Sequence, residues 1–331
     1  MVAITGIKLA TDTVAAIYRV HAEARDDRER AYLGASIIGD ACERKLWYDF
    51  HWAADPEDFG GKLLRLFDTG HREEARMIED LRRSGVEVWD TDPDDDLPNG
   101  TARQIGVSEI AGHFRGHLDG IALGVKEAPK APHVLECKTH SPKSFKKLLL
   151  SGVAISKPMH YAQMQIYMHL LAIKRGLYLA YGKHESEEDK CDGLYAERID
   201  YDPLAAERLI AKAHRIITGR APPPPLHKNP KARMAWDCGY CAKIGICHEG
   251  AWPRRNCRTC IESTPEMDGD GRWSCDFHKC DLTYDDQQRG CAGHLYRPEI
   301  VPGRQIDCDP DKRTVVYALH DGTTWIDGGE R

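Results

Sequence analysis

The sequence has no long apolar run and no helicase-type phosphate-binding loop. No stretch approaches the roughly 20 apolar residues of a membrane span, and the N-terminus lacks the apolar centre of a signal peptide. We therefore expect a soluble, cytoplasmic protein with no membrane partner. The motif Gly-x-x-x-x-Gly-Lys-Ser/Thr is also absent, so phosphate binding by a P-loop is excluded.

An excess of positive charge is missing as well. The formal net charge of the 331 residues is -6, which does not by itself indicate a nucleic-acid partner. A local basic face can still bind nucleic acid, because the local field matters more than the total charge. The length allows one large or two smaller domains.

Cysteine, in contrast, is abundant. The chain has 12 cysteines, and eight of them lie between Cys238 and Cys291, several in Cys-x-x-Cys pairs. A secreted disulfide framework would be shorter. This clustering therefore predicts bound metal.

Two short apolar-flanked segments carry charged residues where a sheet would bury them. The first contains Asp119 and the second contains Glu136 and Lys138, and the linker between them suits a hairpin. Alternation puts Glu136 and Lys138 on one strand face, with Leu135 and Cys137 on the other. Two carboxylates suit Mg²⁺ or Mn²⁺, and a lysine beside them can orient or deprotonate a water for attack on a phosphodiester. An exposed hairpin with a surface ion pair is the alternative.

Apolar periodicity predicts the surrounding elements. The helices are expected at about 8–30, 60–84, 144–151, 158–175 and 203–218, with a short helix carrying Cys42, and strands at about 86–89, 104–110, 177–183, 194–200, 313–319 and 323–326. His71 and Glu74 share a helix face, as a metal ligand and its neighbour or as part of an ion-paired surface. Gln163 and Tyr167, four residues apart, also share a face.

Four features then occur in one order: Gly70-His71 with Glu74, Asp119, Glu136-x-Lys138, and Gln163-x-x-x-Tyr167. Together they resemble the RecB-type branch of the PD-(D/E)xK nuclease superfamily, over roughly residues 35–250. The resemblance implies an α/β, restriction-endonuclease-like fold with a mixed central sheet flanked by helices.

The resemblance also implies roles for individual residues. Asp119 and Glu136 would bind the Mg²⁺ or Mn²⁺ ion, with the Cys137 carbonyl as a further candidate, and Lys138 would position or activate the water. His71 would be another ligand, although Glu74 competes because the family often spaces its Gly and His, which are adjacent here. The remaining roles are Gln163 orienting Lys138 or the substrate, Tyr167 contacting a DNA phosphate, and Lys143, Lys146 and Lys147 holding the DNA backbone.

Cys238, Cys241 and Cys247 supply three closely spaced thiols, and Cys42 is the candidate for the fourth. This split resembles the iron–sulfur subgroup of RecB-type nucleases, which includes the AddB subunit and the CRISPR-adaptation exonucleases. The resemblance implies a structural 4Fe–4S cluster that ties the C-terminal part to the N-terminal lobe. Zinc in the same four thiolates is the alternative.

A second cysteine-rich segment predicts a small zinc-binding module. Its knuckles are Cys257-x-x-Cys260 and Cys291-x-x-His294, which we take as the first-choice Zn²⁺ ligands, with Cys275 as the main competitor. The predicted domains are a nuclease domain at 1–250, the zinc module at 251–300, and a β extension at 301–331.

The function expected from these features is that of a divalent-metal-dependent DNA exonuclease, acting on DNA ends or single strands in recombination or repair. A phage origin would fit the compact build, and ATP-driven unwinding would need a helicase or recombination partner. The alternatives are a structure-specific endonuclease and a non-catalytic nucleic-acid-binding metalloprotein.

Overall fold

The computed structural model describes residues 10–25, 28–92, 103–183 and 193–329. Within these ranges the helices are α1 (Thr11–Glu23), α2 (Glu43–Phe50), α3 (Gly61–Arg83), α4 (Pro142–Ser156), α5 (Pro158–Leu170), α6 (Pro203–Thr218), α7 (Trp236–Gly239), α8 (Ile244–His248) and α9 (Tyr284–Arg289). The strands there are β1 (Leu33–Gly34), β2 (Glu87–Trp89), β3 (Gly106–Glu109), β4 (Phe114–His117), β5 (Gly120–Leu123), β6 (His133–His140), β7 (Arg175–Gly182), β8 (Leu194–Asp200), β9 (Ser263–Pro265), β10 (Trp273–Cys275), β11 (Cys280–Leu282), β12 (Gly303–Asp309), β13 (Thr314–Leu319) and β14 (Thr324–Gly328).

A five-stranded mixed sheet forms the centre of the fold. Its strand order is β2-β5-β6-β7-β8. β5 and β6 form the predicted antiparallel hairpin, while β6 and β7 are parallel. Parallel neighbours need a crossover, and α4 and α5 supply it. The predicted α/β class, with a mixed sheet flanked by helices, is confirmed.

The two faces of β6 pack against different layers. Leu135 and Cys137 join a core cluster with Met77 and Ile78 of α3, while Val134 belongs to the larger cluster that includes side chains of α5 and α6. Side chains alternate along a strand, so Glu136 and Lys138 point to the α5 side. β6 is a central strand with little exposure, and the alternative of an exposed hairpin is therefore wrong.

Residues 114–123 form two strands rather than one, and only the second of them, β5, belongs to the hairpin. β4 ends at His117 and pairs with β1 and β3 in a separate sheet, whereas β5 begins at Gly120. Gly120 has φ +156, and an added Cβ would lie 2.9 Å from the Trp89 carbonyl oxygen. Glycine therefore permits the change of sheet here, and Asp119 occupies the junction between the two sheets.

The C-terminal part carries two further sheets of short strands. β9, β10 and β11 form one antiparallel sheet, and β12, β13 and β14 form the other. The predicted strand pair corresponds to β13 and β14, and β12 is an additional strand that the sequence reading missed. The proposed boundaries at 250 and 300 stay predictions.

One arginine fastens this C-terminal part to the first lobe. Arg258 is 1% exposed, and its guanidinium carbon lies 3.7 Å from the Trp52 ring centroid and 4.8 Å from that of Trp273. It donates hydrogen bonds of 2.8 Å to the carbonyls of Phe50 and Ala31. A planar cation stacked on aromatic faces suits such a buried position, so Arg258 joins residues that are more than two hundred positions apart.

No helix in the described ranges is long and apolar enough to cross a membrane.

Gly116 of β4 allows the close approach of α5. An added Cβ there would lie 2.5 Å from Cε1 and 2.8 Å from the hydroxyl of Tyr167, and 2.9 Å from the Ala35 Cβ. We predict that Gly116→Ala lowers the free energy of unfolding by about 1–3 kcal/mol, the cost of overpacking a core. Urea unfolding measures this change.

Gly106→Ala is the matched control for this prediction. Gly106 lies on the neighbouring strand β3, and an added Cβ would have its nearest contact at 3.8 Å. Equal stability of the two variants would contradict the proposed steric role of Gly116.

Candidate active site

Asp119, Glu136 and Lys138 meet at the α5 side of the central sheet. The Cys137 backbone N–H donates to Asp119 Oδ2 at 2.7 Å, which fixes this carboxylate beside β6. Lys138 Nζ lies 3.4 Å from Asp119 Oδ2 and donates to the Cys137 carbonyl at 3.1 Å. It also forms an ion pair with Glu136 Oε1. The three residues, which are separated in the sequence, thus form one compact group.

The Glu136 carboxylate is fully buried, with 0% exposure. Its Oε1 faces Lys138, and its Oε2 has no hydrogen-bond partner within the described ranges. A buried carboxylate oxygen without a partner is costly. Such an atom is suited to receive a cation, and oxygen donors of this kind are those that Mg²⁺ and Mn²⁺ prefer.

Crowded negative charge perturbs the acids of the site. Burial, together with Asp119 and Glu74, raises the pKa of Glu136 to about 7 against the opposing effect of Lys138. Burial and Asp119 raise the pKa of Glu74 to about 7 as well. Burial would lower the pKa of Lys138, but Glu136 and Asp119 outweigh it and raise this pKa. Lys138 is therefore a cation at neutral pH.

Helix α3 carries the two competitors, Glu74 and His71. The charge of Glu74 acts on Asp119, Lys138 and Glu136, whereas the His71 side chain is exposed. Which of the two is the metal ligand stays a prediction.

Helix α5 contributes Gln163 and Tyr167, which are both buried. Gln163 Nε2 donates to the Tyr167 hydroxyl at 3.1 Å, and that hydroxyl donates to the His117 carbonyl at 2.8 Å. His117 lies two residues before Asp119. Tyr167 is 1% exposed, and its expected contact with a DNA phosphate stays a prediction. Its hydroxyl is committed to the backbone that leads to Asp119.

The sequence reading missed a polar chain beside the group. Tyr178 of β7 lies opposite Glu136, and its hydroxyl is 2.8 Å from both His140 Nε2 and His160 Nδ1. Burial and nearby lysines lower the pKa of His140 to about 4 and that of His160 to about 3. Both imidazoles are neutral at pH 7. One therefore accepts a hydrogen bond from the Tyr178 hydroxyl, and the other donates a hydrogen bond to it.

A signal for this chain exists in the sequence. His140 continues the alternation of Glu136 and Lys138 on β6, and His160 lies three residues before Gln163 on the same face of α5. Tyr178 carries no such signal, because its position depends on the pairing of β7 with β6.

The predicted DNA-backbone lysines lie on α4, which begins at Pro142 directly after β6. Lys143, Lys146 and Lys147 are all exposed. They form a basic surface next to the strand that carries Glu136 and Lys138.

The first group of cysteines also comes together. Cys42 precedes α2, while Cys238 and Cys247 lie on α7 and α8, on either side of Cys241. Burial raises the pKa of Cys247, and the thiolates of Cys42, Cys238 and Cys241 raise it further against the effect of Arg44. The four predicted ligands are therefore neighbours.

In the part of the chain that the structure describes, no group of three or more His, Cys, Asp or Glu side chains is already arranged to hold a metal ion. The metal ligands therefore remain proposals, which depend on the surroundings and chemistry of the donors.

Glu136 gives the stability of the protein a distinctive pH dependence. Because its pKa is raised in the folded state, the folded protein binds a proton that the unfolded chain releases near pH 4.5, and stability is lost as the pH rises through about 7. We predict that Glu136→Gln becomes more stable relative to the wild type as the pH rises from about 4.5 to about 7, by up to roughly 1.4 kcal/mol per pH unit, and that the difference is constant above that range.

Urea unfolding of both proteins in buffer without divalent cations tests this prediction. Histidines titrate in both proteins and largely cancel in the difference. A difference that stays constant with pH would show that Glu136 does not carry the perturbed pKa.

Comparison with known proteins finds structural likeness only at low similarity. No protein-family model matches the chain, and no curated protein matches it. Among solved structures, an alkaline exonuclease (LHK-Exo) from Laribacter hongkongensis shows 12% identity and a TM-score of 0.39, with 60% of this chain and 90% of that chain covered. The same enzyme in complex with dAMP shows 12% identity and a TM-score of 0.37, with 61% of this chain and 90% of that chain covered. A phage related exonuclease from Haemophilus somnus 129PT shows 11% identity and a TM-score of 0.36, with coverage of 56% and 91%. Likeness at this level does not by itself establish a shared activity.

Proposed function

We propose that the chain is a divalent-metal-dependent nuclease that hydrolyses phosphodiester bonds in DNA. The observation that carries this proposal is the buried Glu136 carboxylate, with one oxygen lacking a partner, beside Asp119 and a cationic Lys138. The arrangement suits a Mg²⁺ or Mn²⁺ ion held by Asp119 and Glu136, with the Cys137 carbonyl and Glu74 as further donors.

Different residues of the chain would then have different roles in hydrolysis. Asp119 and Glu136 would hold a divalent cation, which when bound would polarise the phosphate and lower the pKa of an attacking water. Lys138, which is cationic and 28% exposed, would orient that water and stabilise charge that develops on the phosphate. Tyr167 and Gln163 would position Asp119 through the His117 carbonyl.

The substrate surface lies next to this group. Lys143, Lys146 and Lys147 would hold phosphates of the DNA backbone, a contact that gives affinity without sequence preference. An exonuclease that acts on DNA ends or single strands, in recombination or repair and of phage origin, is the mode that the RecB-type resemblance implies. A helicase or recombination protein would then be its partner.

We further propose that Cys42, Cys238, Cys241 and Cys247 hold a structural 4Fe–4S cluster. Four neighbouring thiols from the two ends of the lobe support the ligand set, and Arg44 and Lys45 beside them would balance the charge of the thiolates. Sulfur-only sites suit iron–sulfur clusters or zinc. Zn²⁺ is the alternative occupant.

Digestion of end-labelled linear DNA and covalently closed circles, with Mg²⁺ or Mn²⁺, tests the nuclease proposal. We expect linear DNA to be degraded and closed circles to stay intact. Glu136→Ala and Lys138→Ala should each lower the rate at least about 100-fold, because each removes preorganised charge. DNA binding by Lys138→Ala, measured in Ca²⁺, should persist.

Lys312→Ala is the matched control, because Lys312 is exposed and pairs with Asp309 in the last sheet. Full activity of Lys138→Ala would remove Lys138 from the mechanism, and cutting of closed circles would favour an endonuclease. No cleavage of DNA or RNA by protein with its metals intact would favour a non-catalytic binding protein.

The iron–sulfur proposal is tested by Cys42→Ser. In protein purified without oxygen, we expect the variant to lose the iron, the brown colour and part of the free energy of unfolding, because one of four ligands is gone. Cys308→Ser, at an exposed cysteine, should keep all three. Iron content equal to that of the wild type would contradict the ligand set, and a colourless wild type rich in zinc would favour the alternative metal.

A further inference from the structure

A second group of cysteines surrounds a cavity outside the proposed active site. The cavity has a volume of about 330 Å³, and it is lined by Cys257, Cys260, Cys275 and Cys291, among other residues. The first three of these cysteines are buried, and all four are free of disulfide bonds. Four thiols around one cavity in a chain without a disulfide framework indicate a soft-metal site.

The hairpin of β10 and β11 brings Cys275 and the Cys291 segment to the same wall. Cys275 ends β10 and pairs with Cys280 of β11. In the turn between them, the His278 N–H lies 3.5 Å from Cys275 Sγ and donates to it. His278 Nε2 lies 3.4 Å from Cys291 Sγ. Donors aimed at sulfur stabilise a thiolate, as outer groups do around metal ligands.

The position of His294 argues against the first-choice ligand set. Its Nε2 lies 3.3 Å from the Thr259 hydroxyl, and its ring meets the Tyr296 ring edge-on, with a centroid distance of 4.5 Å. The His294 ring also lines the cavity, but its Nε2 is already engaged by Thr259, on the loop that carries Cys257 and Cys260. Cys280 also lines the cavity, but it is exposed, whereas a structural metal centre is closed to solvent.

We propose that Cys257, Cys260, Cys275 and Cys291 bind one structural Zn²⁺ as a tetrahedral four-thiolate site. Cys275 thus takes the place that the sequence pattern gave to His294, and His278 serves as a hydrogen-bonding neighbour. Tetrahedral sulfur coordination of this kind contributes folding energy directly.

The segment needs such a link because it buries little apolar surface of its own. Apart from cysteines, the buried apolar side chains of residues 254–300 are Trp273, Leu295 and Ile300, and Trp273 and Ile300 belong to the core of the first lobe. Arg258 lies between Cys257 and Cys260. Zinc would therefore hold rigid the loop that inserts Arg258 between the aromatic rings of the first lobe.

Metal analysis of the full chain and of single variants tests the site. We expect Cys275→Ser and Cys291→Ser each to lose one zinc per chain relative to the wild type, whatever metal the Cys42 group holds. Cys280→Ser, five residues from Cys275, is the matched control and keeps the zinc, as does His294→Gln. Zinc content unchanged by Cys275→Ser, zinc lost in His294→Gln, or iron in place of the lost zinc would overturn the proposal.

A second measurement on the wild type covers the case in which the variants fail to fold. The native chain is alkylated with and without a zinc chelator, and modified peptides are mapped. We expect Cys280 to react at once in both samples, and Cys275 and Cys291 to react only after the chelator is added. Reaction of Cys275 and Cys291 at rates that the chelator does not change would overturn the proposal.

Discussion

The arrangement of the central sheet depends on the buried Glu136 carboxylate. At 0% exposure, its ionised form is costly unless a cation lies beside it, and Lys138 is that cation. β6 accordingly lies at the centre of the sheet, with Lys138 two residues from Glu136. β5 begins only after Asp119, which therefore lies at the junction between the two sheets. The Tyr167 hydroxyl then fixes the chain that leads into that junction. The polar group is possible because packed elements on every side hold it.

One arginine connects the C-terminal part of the chain to this centre. Phe50, at the end of α2, accepts a hydrogen bond from Arg258, and Cys42 lies directly before the same helix. A metal centre at Cys42, Cys238, Cys241 and Cys247, as proposed above, would act on this helix too. It would restrict a long loop of the unfolded chain.

Local patterns predicted most of the elements, while long-range pairing decided the rest. Helices α3 and α6 and strand β8 follow from periodicity. Alternation was enough to place Glu136 and Lys138 on one face. The change of sheet at Gly120 could not be predicted, because it depends on the Trp89 carbonyl across the sheet. Tyr178 was missed as a site residue for the same reason, since strand pairing brings it to its neighbours. The predicted turn at 90–99 and loop at 185–192 fall largely outside the described residues.

The aromatic pocket of Arg258 has a consequence for synthesis on the ribosome. Trp52 and Phe50 emerge early, but the cation that covers them follows about two hundred residues later. The Trp47 indole N–H likewise donates to the carbonyl of Gly219, which is synthesised much later. The N-terminal lobe therefore cannot complete its core until Arg258 has emerged, although domains often fold as they emerge. Until then the rings of Phe50 and Trp52 lack the cation that covers them in the folded protein.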